Sequence, residues 1–191
     1  GCVVQNGVDL SLVPENETRK PRSVLSVGTL KARKCMDKTL EAFARLADEY
    51  RDATLTIVGI GEMEEQLKAR IAELPLQERV TLTGGLPPED VLRRMAHSDL
   101  FVLPSWGEGY GIVYIEAMAA SCIAVGAQNE GIADTITDGE NGFLVPAGDT
   151  DAVERVMRAV FAHPEAYEAL RARGMRDARK LTWAHNAEIT A

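Results

Sequence analysis

Six times along this chain a short apolar run is followed by a longer stretch of mixed polarity, and this alternation limits the folds open to it. The runs at 23–28, 54–59, 80–84, 100–103, 122–126 and 142–145 have strand length and are rich in Val, Ile, Leu and Thr. Between and after them, 36–50, 62–74, 88–97, 150–161 and 164–181 read as helices, and 131–136 as a short one. In 36–50, Leu40, Phe43, Ala44, Leu46 and Ala47 share one helical face. Pro88 occupies a favourable first helical position. Alternating strands and helices predict an α/β fold with a Rossmann-like parallel β-sheet and helices on both faces. Ligands in such sheets bind beyond the carboxyl ends of the strands, near a topological switch point. Nearly every glycine-bearing loop falls at such an end: Gly28, Gly59 with Gly61, Gly84 with Gly85, Gly107 with Gly109 and Gly111, and Gly126. One shared cleft is therefore expected.

A length of 191 residues allows one domain with a full core. The net charge of -8 argues against a nucleic-acid partner or an electrostatic membrane anchor on this domain. Cys2, Cys35 and Cys122 are odd in number and widely spaced, which predicts reduced thiols and a cytoplasmic location. His97, His163 and His185 are scattered and form no ligand cluster. No run reaches membrane-spanning length. The opening Gly1-Cys2-Val3-Val4-Gln5 reads as the interior of a larger protein.

The stretch from Glu108 to Ala120 carries the chemistry. It opens Glu108-Gly109-Tyr110-Gly111-Ile112 and continues as an apolar helix whose only charge is Glu116. A lone carboxylate in a buried helix is costly unless something hydrogen-bonds to it, and a ligand hydroxyl could do so. The glycines leave the backbone N–H groups at the helix start open to an anion. Eight residues of helix separate the two glutamates, a rise of about 12 Å. A polyhydroxylated, phosphorylated ligand suits that pattern. The structural alternative is a capping Glu108 and an ion-paired Glu116.

Several further pieces stand in order along the chain. They are Asn6-Gly7-Val8-Asp9, Val27-Gly28 with Lys34, Ile57 to Glu62, Val80 to Gly84, Leu103-Pro104-Ser105, Glu116-Ala117-Met118-Ala119, Asp138 to Gly142, and Val145 to Asp149. Together they resemble the carboxy-terminal, donor-binding half of retaining GT-B glycosyltransferases of the group 1, GT4-like family. The resemblance implies that Glu108 contacts hydroxyls of the transferred sugar and Glu116 the ribose hydroxyls. Gly109, Tyr110, Gly111 and Ile112 would face the diphosphate or sugar. Lys34 matches a lysine that neutralises the leaving diphosphate, so Lys34 and Glu108 are the catalytic candidates. Gly28, Gly59, Gly61, Gly84 and Leu86 would border the nucleotide, with backbone groups contacting the base. The family's strand-end arginine is Thr29 in this chain. Arg33 or Lys31 could compensate, or form only a solvated basic turn.

Other matches are weaker. Gly59-Ile60-Gly61-Glu62 lacks a third glycine and follows the second strand, against a nicotinamide or flavin site. Its glycines could equally serve only tight turns. Asn129-Glu130-Gly131 approaches the sugar in the family or is a simple cap. Asp149-Thr150-Asp151 reads as a helix cap rather than a metal motif. Trp183 and His185 resemble the family's closing segment.

The resemblance implies an interdomain linker at 1–20, a nucleotide-sugar-binding domain at 21–181 and the start of a crossover segment at 182–191. The amino-terminal acceptor domain would be absent. The full enzyme would move a sugar from a UDP-, GDP- or ADP-sugar to a hydroxyl acceptor in glycan, lipid or polysaccharide biosynthesis. No cofactor or metal is expected, and this stretch alone would transfer nothing. Any peripheral membrane contact would come through the missing half. The alternatives are a sugar-nucleotide epimerase domain of the same fold and a non-catalytic nucleotide-sugar-binding module.

Overall fold

A computed structural model describes residues 18–107, 109 and 111–189. Cys2, the 6–9 segment, Glu108 and Tyr110 lie outside the described residues. The strands are β1 (Ser23–Val27), β2 (Thr54–Val58), β3 (Val80–Leu82), β4 (Leu100–Val102), β5 (Ile123–Ala127) and β6 (Phe143–Val145). They form one sheet in the order β3-β2-β1-β4-β5-β6, and every pairing is parallel. The α-helices are α1 (Met36–Leu46), α2 (Glu64–Glu73), α3 (Pro88–His97), α4 (Ile112–Ala119), α5 (Thr150–Ala162) and α6 (Glu168–Ile189). α1 packs with α5, whereas α3 and α6 both pack against α4, so two helical layers enclose the sheet. The α/β expectation holds.

A strand buried on both faces needs an unbroken apolar sequence. β4 and β5 are buried at every position, as is the adjoining Leu103. α4 lies over them with Tyr114, Ile115, Ala117, Met118 and Ala119 buried. Phe101 meets the Tyr114 ring edge-on, with centroids 5.4 Å apart. In α1, Leu40, Phe43 and Leu46 are fully enclosed, as their spacing predicts.

Several boundaries differ from the sequence reading; α6, for one, begins at Glu168 after a 3-10 turn at Pro164–Tyr167. α1 ends at Leu46, and a turn carries the chain to Tyr50. The 131–136 segment is a single 3-10 turn, Gly131–Asp134, anchored by buried Ile132. α6 does not stop at Leu181 but runs on to Ile189, so Trp183 and His185 fall within a helix.

At the amino end of the sheet, buried Asp99 and Arg171 form an ion pair. Arg171 Nη1 also donates to the carbonyls of Asp99 and Ser121, at 3.0 and 2.9 Å, and the Arg22 N–H donates to Asp99 Oδ2 at 3.1 Å. This network fastens α6 beneath β4. Further along α6, Asp177 accepts from Asn141 Nδ2 at 3.1 Å, while Asn141 Oδ1 accepts the Thr137 N–H at 2.8 Å. The Asp138-to-Gly142 piece is thus a structural turn docked on α6. Removing one partner of a buried pair leaves the other charge stranded. Arg171→Ala should lower the unfolding free energy by about 3–5 kcal/mol in urea denaturation; a loss below about 1 kcal/mol would show that the pair does not anchor α6.

Candidate functional site

β1 pairs with β2 on one side and β4 on the other, so the chain leaves β1 and β4 toward opposite helical layers. Their carboxyl ends mark the switch point, the crevice at which such sheets bind ligands.

On the β2 side of the crevice the loops are tied together through their backbones. The Leu30 N–H donates to Ile60 O at 2.9 Å, Met63 N–H to Leu30 O at 3.0 Å, and Gly59 N–H to Gly84 O at 2.8 Å. A Cβ at Gly59 would sit 1.9 Å from Gly28 O, and one at Gly61 would lie 2.4 Å from Leu30 O. Both glycines are therefore required by the fold itself. They frame a shallow cavity of about 220 Å³ lined by Val27, Gly28, Thr29, Val58, Gly59, Ile60, Gly85, Leu86 and Val91. Four expected positions, Gly28, Thr29, Gly59 and Leu86, thus converge on one space. The apolar walls Ile60 and Val91 were not anticipated. Ile60 is 63% exposed, and its signal was a bulky apolar residue between two glycines at a strand end.

Across the crevice, Gly111 caps α4 with a φ of 70° that a side chain would strain. The Tyr114 N–H donates to Gly111 O at 3.0 Å, while the N–H groups that open a helix have no intrahelical acceptor, so the start of α4 presents donors and a positive dipole end here. The loop before it is pinned from below, where Ser105 Oγ lies 3.0 Å from Tyr114 Oη, whose hydroxyl also donates to Leu103 O. Because α4 begins only at Ile112, the 12 Å helical spacing drawn between the two glutamates does not apply.

Glu116 lies one turn into α4, half-buried. Among the described residues its carboxylate makes no hydrogen bond or ion pair, against the ion-paired alternative. Desolvation alone pushes its pKa above the ordinary value. A raised carboxyl pKa means that the folded state holds the proton more tightly than the unfolded chain. Stability is therefore lost as pH climbs from the unfolded value through the folded one.

The basic loop after β1 forms an unanticipated 3-10 turn, Ala32–Lys34, followed by Cys35 at a φ of 52°. Lys34 is buried, and its stem lies along Gly28: a Cβ there would meet Lys34 Cε at 3.7 Å. Arg33 reaches the other side of the crevice. Its carbonyl accepts the Trp106 N–H at 2.9 Å, and its Nη1 donates to Gly107 O at 3.1 Å. Lys31 is solvent-exposed.

Other candidates resolve as structure. Asp149 Oδ1 accepts the Ala152 N–H at 2.9 Å, the expected cap. Glu130, which precedes the 3-10 turn, makes no capping bond. Burial raises the pKa of the Cys35 thiol and pushes Cys122 up to about 12, so neither is an activated nucleophile. Among the described residues, no group of three or more His, Cys, Asp or Glu could hold a metal ion, and no helix is long and apolar enough to cross a membrane.

The fold is a Rossmann-like α/β domain, and comparison with known proteins gives its family. Residues 11–177 match the family model described as glycosyl transferases group 1, and the chain belongs to that family. It is 33% identical over 144 residues to the amylovoran biosynthesis glycosyltransferase AmsK of Erwinia amylovora, covering 72% of this chain and 35% of that protein. It is 32% identical over 187 residues to a phosphatidyl-myo-inositol mannosyltransferase of Mycobacterium leprae, covering 94% and 49%. The chain thus spans half or less of the length of these relatives. Among solved structures, Anabaena Alr3699/HepE with UDP and glucose superposes with a TM-score of 0.83 at 21% identity, covering 97% of this chain and 54% of that one. The C-terminal domain of the group 1 protein LpcC from Francisella tularensis gives 0.82 at 17% identity, covering 91% and 97%.

The glycines separate fold from ligand. Gly109 has neither a positive φ nor, among the described residues, an atom within 4 Å of a built Cβ, so those residues do not require glycine there. Gly109→Ala should leave thermal stability within about 0.5 kcal/mol, whereas Gly59→Ala should cost more than about 2 kcal/mol. Equal losses in calorimetric unfolding would contradict that division.

Proposed function

We propose that residues 21–181 are the donor-binding domain of a retaining glycosyltransferase, which moves a sugar from a nucleoside diphosphate sugar to a hydroxyl acceptor. Glu116 carries this reading. A half-buried carboxylate with no protein partner among the described residues gains hydrogen bonds when a ribose presents its hydroxyls. The base would rest in the cavity against Ile60, Leu86 and Val91, with its edge toward the backbone at Gly84 to Leu86. The diphosphate would lie between Lys34 and the amino end of α4, where Gly109 lets it approach the backbone. As the glycosidic bond breaks, negative charge grows on the departing phosphate, and the Lys34 ammonium and α4 N–H groups oppose it. Glu108 would orient the sugar.

Thr29, exposed at the cavity edge, offers a hydroxyl where the family carries a guanidinium, so the grip on the diphosphate is weaker there. UDP is the base form we favour, because similar folds bind UDP, although one relative is named a GDP-mannose-dependent mannosyltransferase. The AmsK relative supports a role in polysaccharide assembly. The buried free thiols fit a reducing cytoplasm. The acceptor would bind an amino-terminal half, so this chain alone should transfer nothing.

Titration calorimetry with UDP, GDP and ADP tests the reading. One diphosphate should bind selectively, and Glu116→Gln should weaken it at least tenfold, about 1.4 kcal/mol. The same variant should be as stable as the parent or more so at neutral pH, because it removes a desolvated charge. Affinity should rise with pH through the elevated Glu116 pKa, and the parent-minus-variant difference isolates that component from titration of the nucleotide. Unchanged affinity in Glu116→Gln would remove Glu116 from the site.

A further inference from the structure

We infer that Trp106 is a stacking platform for a pyranose ring at the lip of the crevice; the inference rests on the sugar-transfer reading above. Trp106 is 53% exposed and is the only exposed Phe, Tyr or Trp side chain among the described residues. Of the exposed large apolar residues Ile60, Trp106 and Leu181, two border the crevice, and Ile60 already walls the base cavity. Trp106 faces no such enclosure.

The backbone that carries the indole is held on both flanks. On one side, Ser105 Oγ is tied to Tyr114 Oη in the core at 3.0 Å, and the Ser105 N–H donates to Leu103 O at 2.8 Å. On the other, the Trp106 N–H donates to Arg33 O at 2.9 Å and Arg33 Nη1 grips Gly107 O at 3.1 Å. The indole is thus presented at a set place rather than left on a loose loop. An apolar ring displayed this way gains by being covered.

Its surroundings select the cover. A pyranose has an apolar C–H face and a rim of hydroxyls. The indole face matches the first, and its exposure leaves the second in contact with water. A nucleobase would instead find its apolar walls at β1 and β2. In sequence, Trp106 also precedes by two residues the Glu108 that family resemblance assigns to the transferred sugar.

Saturation-transfer NMR tests the platform, with methyl α-D-glucopyranoside and methyl α-D-mannopyranoside as probes and UDP, GDP or ADP present. Transfer to the sugar ring protons should fall at least fivefold in Trp106→Ala and Trp106→Leu, survive in Trp106→Tyr, and leave nucleotide transfer unchanged throughout. Leucine separates ring stacking from apolar packing. Replacing the diphosphate with UDP-glucose distinguishes the source of the ring: persisting glycoside signal identifies an acceptor sugar, and displaced signal the transferred one. Sugar transfer that is absent from the parent, or equal in Trp106→Ala, overturns the platform. So does its disappearance in the complete protein, where another part of the chain would then cover the indole. Loss of nucleotide transfer in every chain would sink the donor-site reading, and the platform with it.

Discussion

β1 is hydrogen-bonded in parallel to both β2 and β4, and the rest of the molecule follows from that placement. A strand so placed must be apolar on both faces, and Val24 and Leu25 are. Its two neighbours must then lead into helices on opposite layers. The helices after β1 and β4 lie in opposite layers as a result, and the crevice falls at that switch point, where Arg33 joins the two loops through Trp106 and Gly107. The site is a consequence of strand order before any side chain is considered.

The buried ion pair and the candidate site occupy opposite ends of this sheet. At the amino end, Asp99, Arg171 and Arg22 form a buried polar cluster that fastens α6. At the carboxyl end, the loops are joined by backbone hydrogen bonds so close that Gly59 and Gly61 tolerate no Cβ. Rigid backbone there leaves side chains available for other work. Glu116 remains without a partner among the described residues, and Trp106 remains uncovered. Those are the departures from self-consistency expected where a protein meets a ligand.

Much of this could be read from residue order alone, because burial on both faces forces continuous apolar strands and one-sided burial forces helical periodicity. Leu40, Phe43 and Leu46 announced α1 in this way, and the glycine loops announced the strand ends around the cavity. Family resemblance, rather than periodicity, supplied the roles of Lys34 and Glu116. Other features depend on contacts between distant segments. The end of α1 at Leu46 is set by a turn that no breaker residue marks. The continuation of α6 past Leu181 follows an uninterrupted helical backbone where the sequence offered a plausible stop. The Arg33–Gly107 contact joins residues 74 apart, and no local pattern encodes it.

The most direct measurement of the donor crevice is a backbone amide NMR titration of the isotopically labelled chain with UDP, GDP and ADP. Saturable shifts should map to the carboxyl ends of β1 to β4, at Gly28 to Lys34, Gly59 to Gly61, Gly84 to Leu86 and Gly109 to Glu116, and leave the Asp99–Arg171 end of the sheet silent. Shifts concentrated at that opposite end, or none with any diphosphate, would contradict a donor site at the β1–β4 switch point.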